Sequence, residues 1–270
     1  MDGSFDERYN AAGKWAALMG TSSSSRGSGK HQPLVPPGTD DEPGERLPEA
    51  PPKRFRAFRT AFGKFLREGD GVDLRRALGH YARTSTGGRA VGPRRYGSVY
   101  AAGGNLYDAL ASLGGRGVDA APGGLNREEL TGQPLDVVCQ RIAQALAPDG
   151  ADADRIRISI DEAMLEVLGE GEFDPDRLDG ETVHRIVAEY LSQCIFQDIV
   201  EEVGGSWANS PDASRTPEAE AQLLELIRVV VDRELGARMP LGAALDGAGV
   251  SRLMRATVDE VWREWEAYDE

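Results

Sequence analysis

Phe55-Arg56-Ala57-Phe58-Arg59-Thr60-Ala61-Phe62-Gly63-Lys64-Phe65 sets phenylalanine at positions 55, 58, 62 and 65. Spacings of three and four residues put all four rings on one stripe of an α-helix and leave Arg56, Arg59, Lys64 and Arg67 on its other faces. Such a stripe is a core-facing surface first. A second helix follows through Leu74, Leu78 and Tyr81, with Asp73 near its start, and ends at Thr84-Ser85-Thr86-Gly87-Gly88. The link beyond it reads as long and flexible. Tyr96, Val99, Tyr100, Gly103, Leu106, Tyr107 and Leu110 then resume the helical spacing. Gly103-Gly104 within that run allows close helix contact, at a cost near ~1 kcal/mol per glycine relative to alanine.

The same periodicity continues to the C-terminus. Pro134 suits a first helical position before Leu135, Val138, Cys139, Ile142 and Leu146. Asp152 is placed to cap a helix burying Ile156, Ile160 and Met164, and Thr216-Pro217-Glu218 opens one that carries Leu223, Ile227, Val230 and Leu235. Between these, Val183, Ile186, Val187, Tyr190, Cys194 and Ile199 mark a long helix from Glu181 to Glu202, and Val258, Val261, Trp262 and Trp265 a final one. Only the alternation of isoleucine at 156, 158 and 160 competes as a short strand. The expectation is therefore an all-α protein: a disordered Ser/Gly/Pro-rich arm over 1–52, a basic helical region over 53–117 and an acidic, bundle-like helical domain over 126–270.

Charge is partitioned along the chain. The net charge of -14 resolves into -3 over residues 1–52, +9 over 53–100 and -20 over 101–270. Arg54, Arg56, Arg59, Arg75, Arg76, Arg94 and Arg95 either neutralise the acidic remainder or a partner protein, or track a phosphate backbone with Tyr81 or Tyr96 available for stacking. No nucleic-acid-binding motif accompanies them. Cys139 and Cys194, the two cysteines, each fall in an apolar helical pattern and read as buried thiols in a reducing cytoplasm. His31, His80 and His184 are too scattered for a metal site, and no nucleophile elbow, phosphate loop or dinucleotide fingerprint is present. The composition thus points away from an enzyme and away from a cofactor.

The remaining chemical handle lies in the arm. Met19-Gly20-Thr21-Ser22-Ser23-Ser24-Ser25 reads like a chain start lying 18 residues inside this one. Translation from Met19 and trimming of that methionine would leave Gly20 as a free amine of pKa about 7.7 to 8, partly uncharged and nucleophilic at neutral pH. The same residues also match the M-G-x-x-x-[ST] acylation pattern, a weak signal in a serine-rich segment. Pro33-Leu34-Val35-Pro36-Pro37 follows, with polyproline character.

These two blocks, with the stretch from Phe55 to Gly88, Arg94-Arg95-Tyr96-Gly97, Leu106-Tyr107-Asp108-Ala109-Leu110 and Leu130-Thr131-Gly132-Gln133-Pro134-Leu135, resemble the QatB family of the bacterial Qat anti-phage defence system. The resemblance implies a non-enzymatic partner of a QueC-like enzyme, an ATPase and a TatD-like nuclease. It further implies that the QueC-like partner transfers a deazapurine acyl group to the N-terminal glycine. Gly20 would be the acceptor, and Thr21, Ser22, Ser23, Ser24, Pro33, Leu34, Val35 and Pro36 the strand threaded into that partner. Residues 1–18 precede the family's apparent start, so the reading requires initiation at Met19 or proteolysis. The rival expectation is a nucleic-acid-binding adaptor that uses residues 53–95.

Overall fold

In the computed structural model, the described residues are 33–116, 121–150, 152–204, 215–239 and 245–268. The phenylalanine stripe forms α1 (Arg56–Glu68), with Phe58, Phe62 and Phe65 buried and Phe55 buried at its N-cap. Gly69 ends the helix in the left-handed region, φ 73°, and returns its N–H to the Phe65 carbonyl, which a side-chain-bearing residue does at a cost. The Asp70 carboxylate then accepts the Val72 N–H and starts α2 (Gly71–His80).

The link expected to be flexible is ordered. A π-helical turn, Tyr81–Ser85, and a 3-10 turn, Gly92–Tyr96, occupy most of it. The Thr86 hydroxyl explains the order: it donates to the Tyr81 and Ala82 carbonyls and accepts the indole N–H of Trp262, at 2.9 Å. A small polar residue followed by two glycines reads locally as a loop, whereas the long-range partner that fixes it is invisible in the sequence.

Helix α3 (Gly97–Leu113) runs directly from that turn. It is followed by α4 (Arg127–Leu130), α5 (Leu135–Leu146), α6 (Ala153–Leu168), α7 (Gly180–Val203), α8 (Arg215–Arg238) and α9 (Gly247–Ala267). Among the described residues there are nine α-helices and no strand, so the all-α expectation holds. The alternating isoleucines lie on α6, with Ile156 and Ile160 buried. Asp152 precedes that helix but does not cap it; its carboxylate is drawn instead to Arg155 and Ser98.

Helix α7 is the centre of the molecule. It packs on α3, α6 and α8, and α9 bridges α2, α3 and α8. Because α7 is covered on nearly every side, its buried residues include Glu189, Gln193, Asp198 and Glu202 as well as apolar ones, and no clean polar face develops. One continuous core runs from Phe55 to Trp265. The basic and acidic segments expected as separate units share it: Phe58 of the stripe packs on Tyr81, and Tyr81 packs on Trp262 and Trp265 of α9.

The proline block departs further from expectation. Residues 33–52 were expected to belong to a free arm, yet Leu34 and Val35 are 2% and 3% exposed, packed with Val91, Leu47 and Ala50. Exposed Pro33 and half-buried Pro36 flank them. The segment 33–45 is a strap laid on the body, because arginines of the 3-10 turn and of α9 satisfy its carbonyls and carboxylates.

Candidate functional site

Four side chains converge on Asp198 of α7. Its carboxylate accepts hydrogen bonds from Tyr81 Oη at 2.5 Å, Tyr96 Oη at 2.9 Å, Arg95 Nη2 at 3.1 Å and Arg155 Nη1 at 2.8 Å. All five groups are buried. Arg155 also holds Asp152 at 2.6 Å, and Asp152 accepts the Ser98 hydroxyl. A carboxylate in the middle of a covered helix is tolerable only when its charge is matched and its lone pairs are filled, and here both conditions are met. Burial alone would raise the Asp198 pKa, but Arg95 and Arg155 hold it well below the usual carboxylate range. Burial and the Asp198 charge push the Tyr81 and Tyr96 phenols up, so both keep the proton they donate.

Arg95 carries this network outward. Its other nitrogen donates to the Leu34 carbonyl at 2.9 Å, and Arg54 donates to the Pro33 carbonyl at 3.0 Å. Arg54 is fixed in turn by the Ser85 hydroxyl on its own carbonyl. The start of the strap is thus pinned through two backbone carbonyls to a buried charge cluster. We read this anchor, rather than a pocket, as the candidate functional site.

Glu202, one turn beyond Asp198, is the uncomfortable member. It lies 3.6 Å from Arg95 and 3.8 Å from Arg59, and its Oε2 atom is buried without a hydrogen-bond partner. Burial raises its pKa to about 7, with Arg95 opposing and Asp198 adding to the rise. A carboxylate whose folded pKa lies above its ordinary 4.5 favours folding most below pH 4.5, and that advantage is lost as pH rises through about 7. Glu202→Gln is therefore expected to flatten the stability profile between those limits and to gain roughly 2 kcal/mol at pH 8. Urea midpoints across the pH range check this, and an unchanged slope would contradict it.

The residues expected from sequence distribute unevenly. Gly20, Thr21, Ser22, Ser23 and Ser24 lie outside the described residues. Leu34 and Val35, expected on a strand presented to a partner, are occupied by the body itself. Of the basic residues, Arg54, Arg94 and Arg95 are buried, and Arg59 joins Glu202 through its backbone carbonyl at 2.8 Å as well as its carboxylate. Arg76 meets Asp73 at 3.1 Å, while Arg56, Arg75 and Arg76 remain at the surface. The internal-neutralisation reading accounts for the four inner arginines. Of these seven, a polyanion track would keep the outer three, beside the exposed Lys53, Arg83 and Arg89 of the same segment.

Asp198, Glu202, Arg155 and Arg255 were not anticipated. One signal was available: Asp198 and Glu202 continue at four-residue spacing from Cys194, on the same stripe as Leu191 and Val187, so carboxylates fall where apolar residues belong. Among the described residues no cluster of His, Cys, Asp and Glu could hold a metal ion, and no helix is long and apolar enough to cross a membrane. A family model for QatB, the Qat anti-phage system associated protein, matches residues 87–264. The match contains Arg94, Arg95, Arg155, Asp198, Glu202 and Arg255, and begins after the proline block and the phenylalanine stripe. No curated protein and no solved structure matches the chain.

Proposed function

Since the chain belongs to the QatB family of Qat anti-phage system associated proteins, we propose that it is a non-enzymatic defence component whose helical body anchors an arm carrying Gly20 as an acyl acceptor. The supporting observation is the double pin at Pro33 and Leu34, through Arg54 and Arg95, which gives the arm a defined point of departure. From Pro33 back to Gly20 the chain can span at most about 45 Å when extended. A partner docked on the body would thus find the Gly20 amine within a fixed radius, and anchoring lowers the entropy lost when the arm enters an active site.

The chemistry is an amide-forming transfer. A QueC-like partner activates a deazapurine carboxylate as an acyl-adenylate with loss of pyrophosphate. The uncharged Gly20 amine attacks the activated carbonyl, AMP leaves, and the amine loses one proton. Glycine suits the acceptor position because no Cβ crowds the approach. Other Qat proteins, the ATPase and the TatD-like nuclease, would dock on the body.

Intact-mass analysis after co-expression with the QueC-like partner tests the reading. The expected product begins at Gly20 and carries the acyl adduct there. Chain that begins at Met1 and stays uncleaved, or a free Gly20 terminus that stays unmodified beside an active partner, would refute it.

A further inference from the structure

The strap ends in an acidic run, Asp40-Asp41-Glu42, and each of these carboxylates meets an arginine. Arg94 grips Asp40 with two parallel bonds of 2.9 and 2.7 Å and also donates to the Glu42 and Glu45 carbonyls at 2.6 and 3.1 Å. Arg255 of α9 takes Asp41 at 2.5 Å and Glu42 at 3.2 Å. Backbone pairing completes the seat: Gly97 N–H donates to the Thr39 carbonyl at 2.9 Å, and Asp41 N–H to the Arg94 carbonyl at 3.3 Å. At Gly97 an added Cβ would lie 2.6 Å from that Thr39 oxygen, so the close approach depends on glycine.

Three features mark this as a bound ligand rather than part of the core. The strap's apolar contacts form a satellite cluster of Leu34, Val35 and Val91 with Leu47 and Ala50, outside the main core. Cover thins along the acidic end, from Asp40 and Asp41 side chains 19% and 18% exposed to Glu42 and Glu45 at 44% and 75%. Behind it, Pro51-Pro52 leads into Lys53, a non-glycine residue held at φ 55°. That conformation carries backbone strain of order 1 kcal/mol where the segment joins α1.

We propose that residues 39–45 are a displaceable internal ligand, and that the cleft they fill, built from Arg94, Arg255 and the backbone at Gly97, receives an acidic, extended peptide of a partner protein in their place. A peptide fits better than a nucleic acid for two reasons. The Arg94 carbonyl needs an N–H donor, which a phosphodiester lacks. Asp259 also stays beside Arg255, at 2.5 Å, and repels a dense polyanion. This inference does not depend on acylation of Gly20, so either can fail alone.

The test uses the full-length chain carrying Asp40→Asn, Asp41→Asn and Glu42→Gln, with a labelled peptide of the native sequence from Pro36 to Arg46 followed by anisotropy. Weakening three ionic contacts of the internal strap is expected to tighten binding of the added peptide by about ten-fold or more over the unsubstituted chain. Raising salt from about 50 to 300 mM should weaken that binding. Adding Arg255→Ala should abolish it while circular dichroism stays native. Equal binding to both chains, binding that survives loss of Arg255, or a single-stranded oligonucleotide that binds the substituted chain more tightly than the peptide would each overturn the proposal.

Discussion

An Asp198→Ala variant is expected to lose about 4 kcal/mol of folding stability at pH 7, or roughly 10 °C in melting temperature for a chain of this size. The change removes one carboxylate and leaves four donors without it: two phenols and two guanidinium groups, all buried. Breaking a buried ion pair from one side costs more than the pair contributes net, because the surviving charges have no water to turn to. Arg155 retains Asp152, and Arg95 retains only the more distant Glu202, so the larger disturbance falls on Arg95. Arg95 also holds the Leu34 carbonyl, and the strap should therefore loosen with the core. Hydrogen exchange is expected to accelerate at Leu34, Val35 and Thr39 before it does at α5.

Asp198→Asn separates charge from shape. It keeps an acceptor oxygen and the volume, and should lose about half as much. The pH dependence fixes the sign. A carboxylate held below its ordinary pKa of 3.8 contributes its stability above that value and loses it as pH falls through the lower folded value. The gap between the native chain and Asp198→Asn should therefore persist from neutral pH to about 4 and close only below it. Urea unfolding at several pH values reads both quantities. A loss under about 1 kcal/mol for Asp198→Ala would mean that the cluster is hydrated and that the strap is not anchored through it.

Local spacing was enough to find the helices and their inward faces. The stripe through Phe58, Phe62 and Phe65, the thiols of Cys139 and Cys194, and the indoles of Trp262 and Trp265 are all buried where a period of 3.6 puts them. What spacing could not supply was pairing across the chain. Arg95 meets Asp198 from 103 residues away, and Arg255 meets Asp41 from 214. A basic segment and an acidic one look alike whether they seek each other or separate partners, and only the fold shows that most of the inner arginines are committed internally. The proline block misled for a related reason. Pro33, Pro36 and Pro37 remove backbone donors and suit an extended free chain, yet an extended chain also offers its carbonyls to arginine forks, and Leu34 and Val35 provide enough apolar surface to seat it.

Alanine at Gly104 and alanine at Gly63 should move stability in opposite directions, although both glycines sit inside helices. At Gly104 of α3 an added Cβ would lie 2.4 Å from the Gly247 carbonyl and 2.4 Å from Ser251 Oγ of α9. One obstacle is backbone, so rotamer changes cannot clear it, and the two helices must separate along the seam. That seam carries the bond from Ser251 to the Tyr100 carbonyl, 2.8 Å, and from Gly247 N–H to Asp108, 2.8 Å. Overpacking of this kind costs about 3 kcal/mol, and both hydrogen bonds are strained along with it. At Gly63 of α1 nothing lies closer than the Arg67 guanidinium, at 3.6 Å. Alanine there adds only helix propensity and reduced freedom of the unfolded chain, and should stabilise by roughly 0.5 to 1 kcal/mol. Paired denaturation curves decide the matter. A Gly104→Ala variant that is neutral or gains stability as Gly63→Ala does would mean that α3 and α9 are not in close contact, and Arg255, which reaches the acidic strap from α9, would then have to be placed anew.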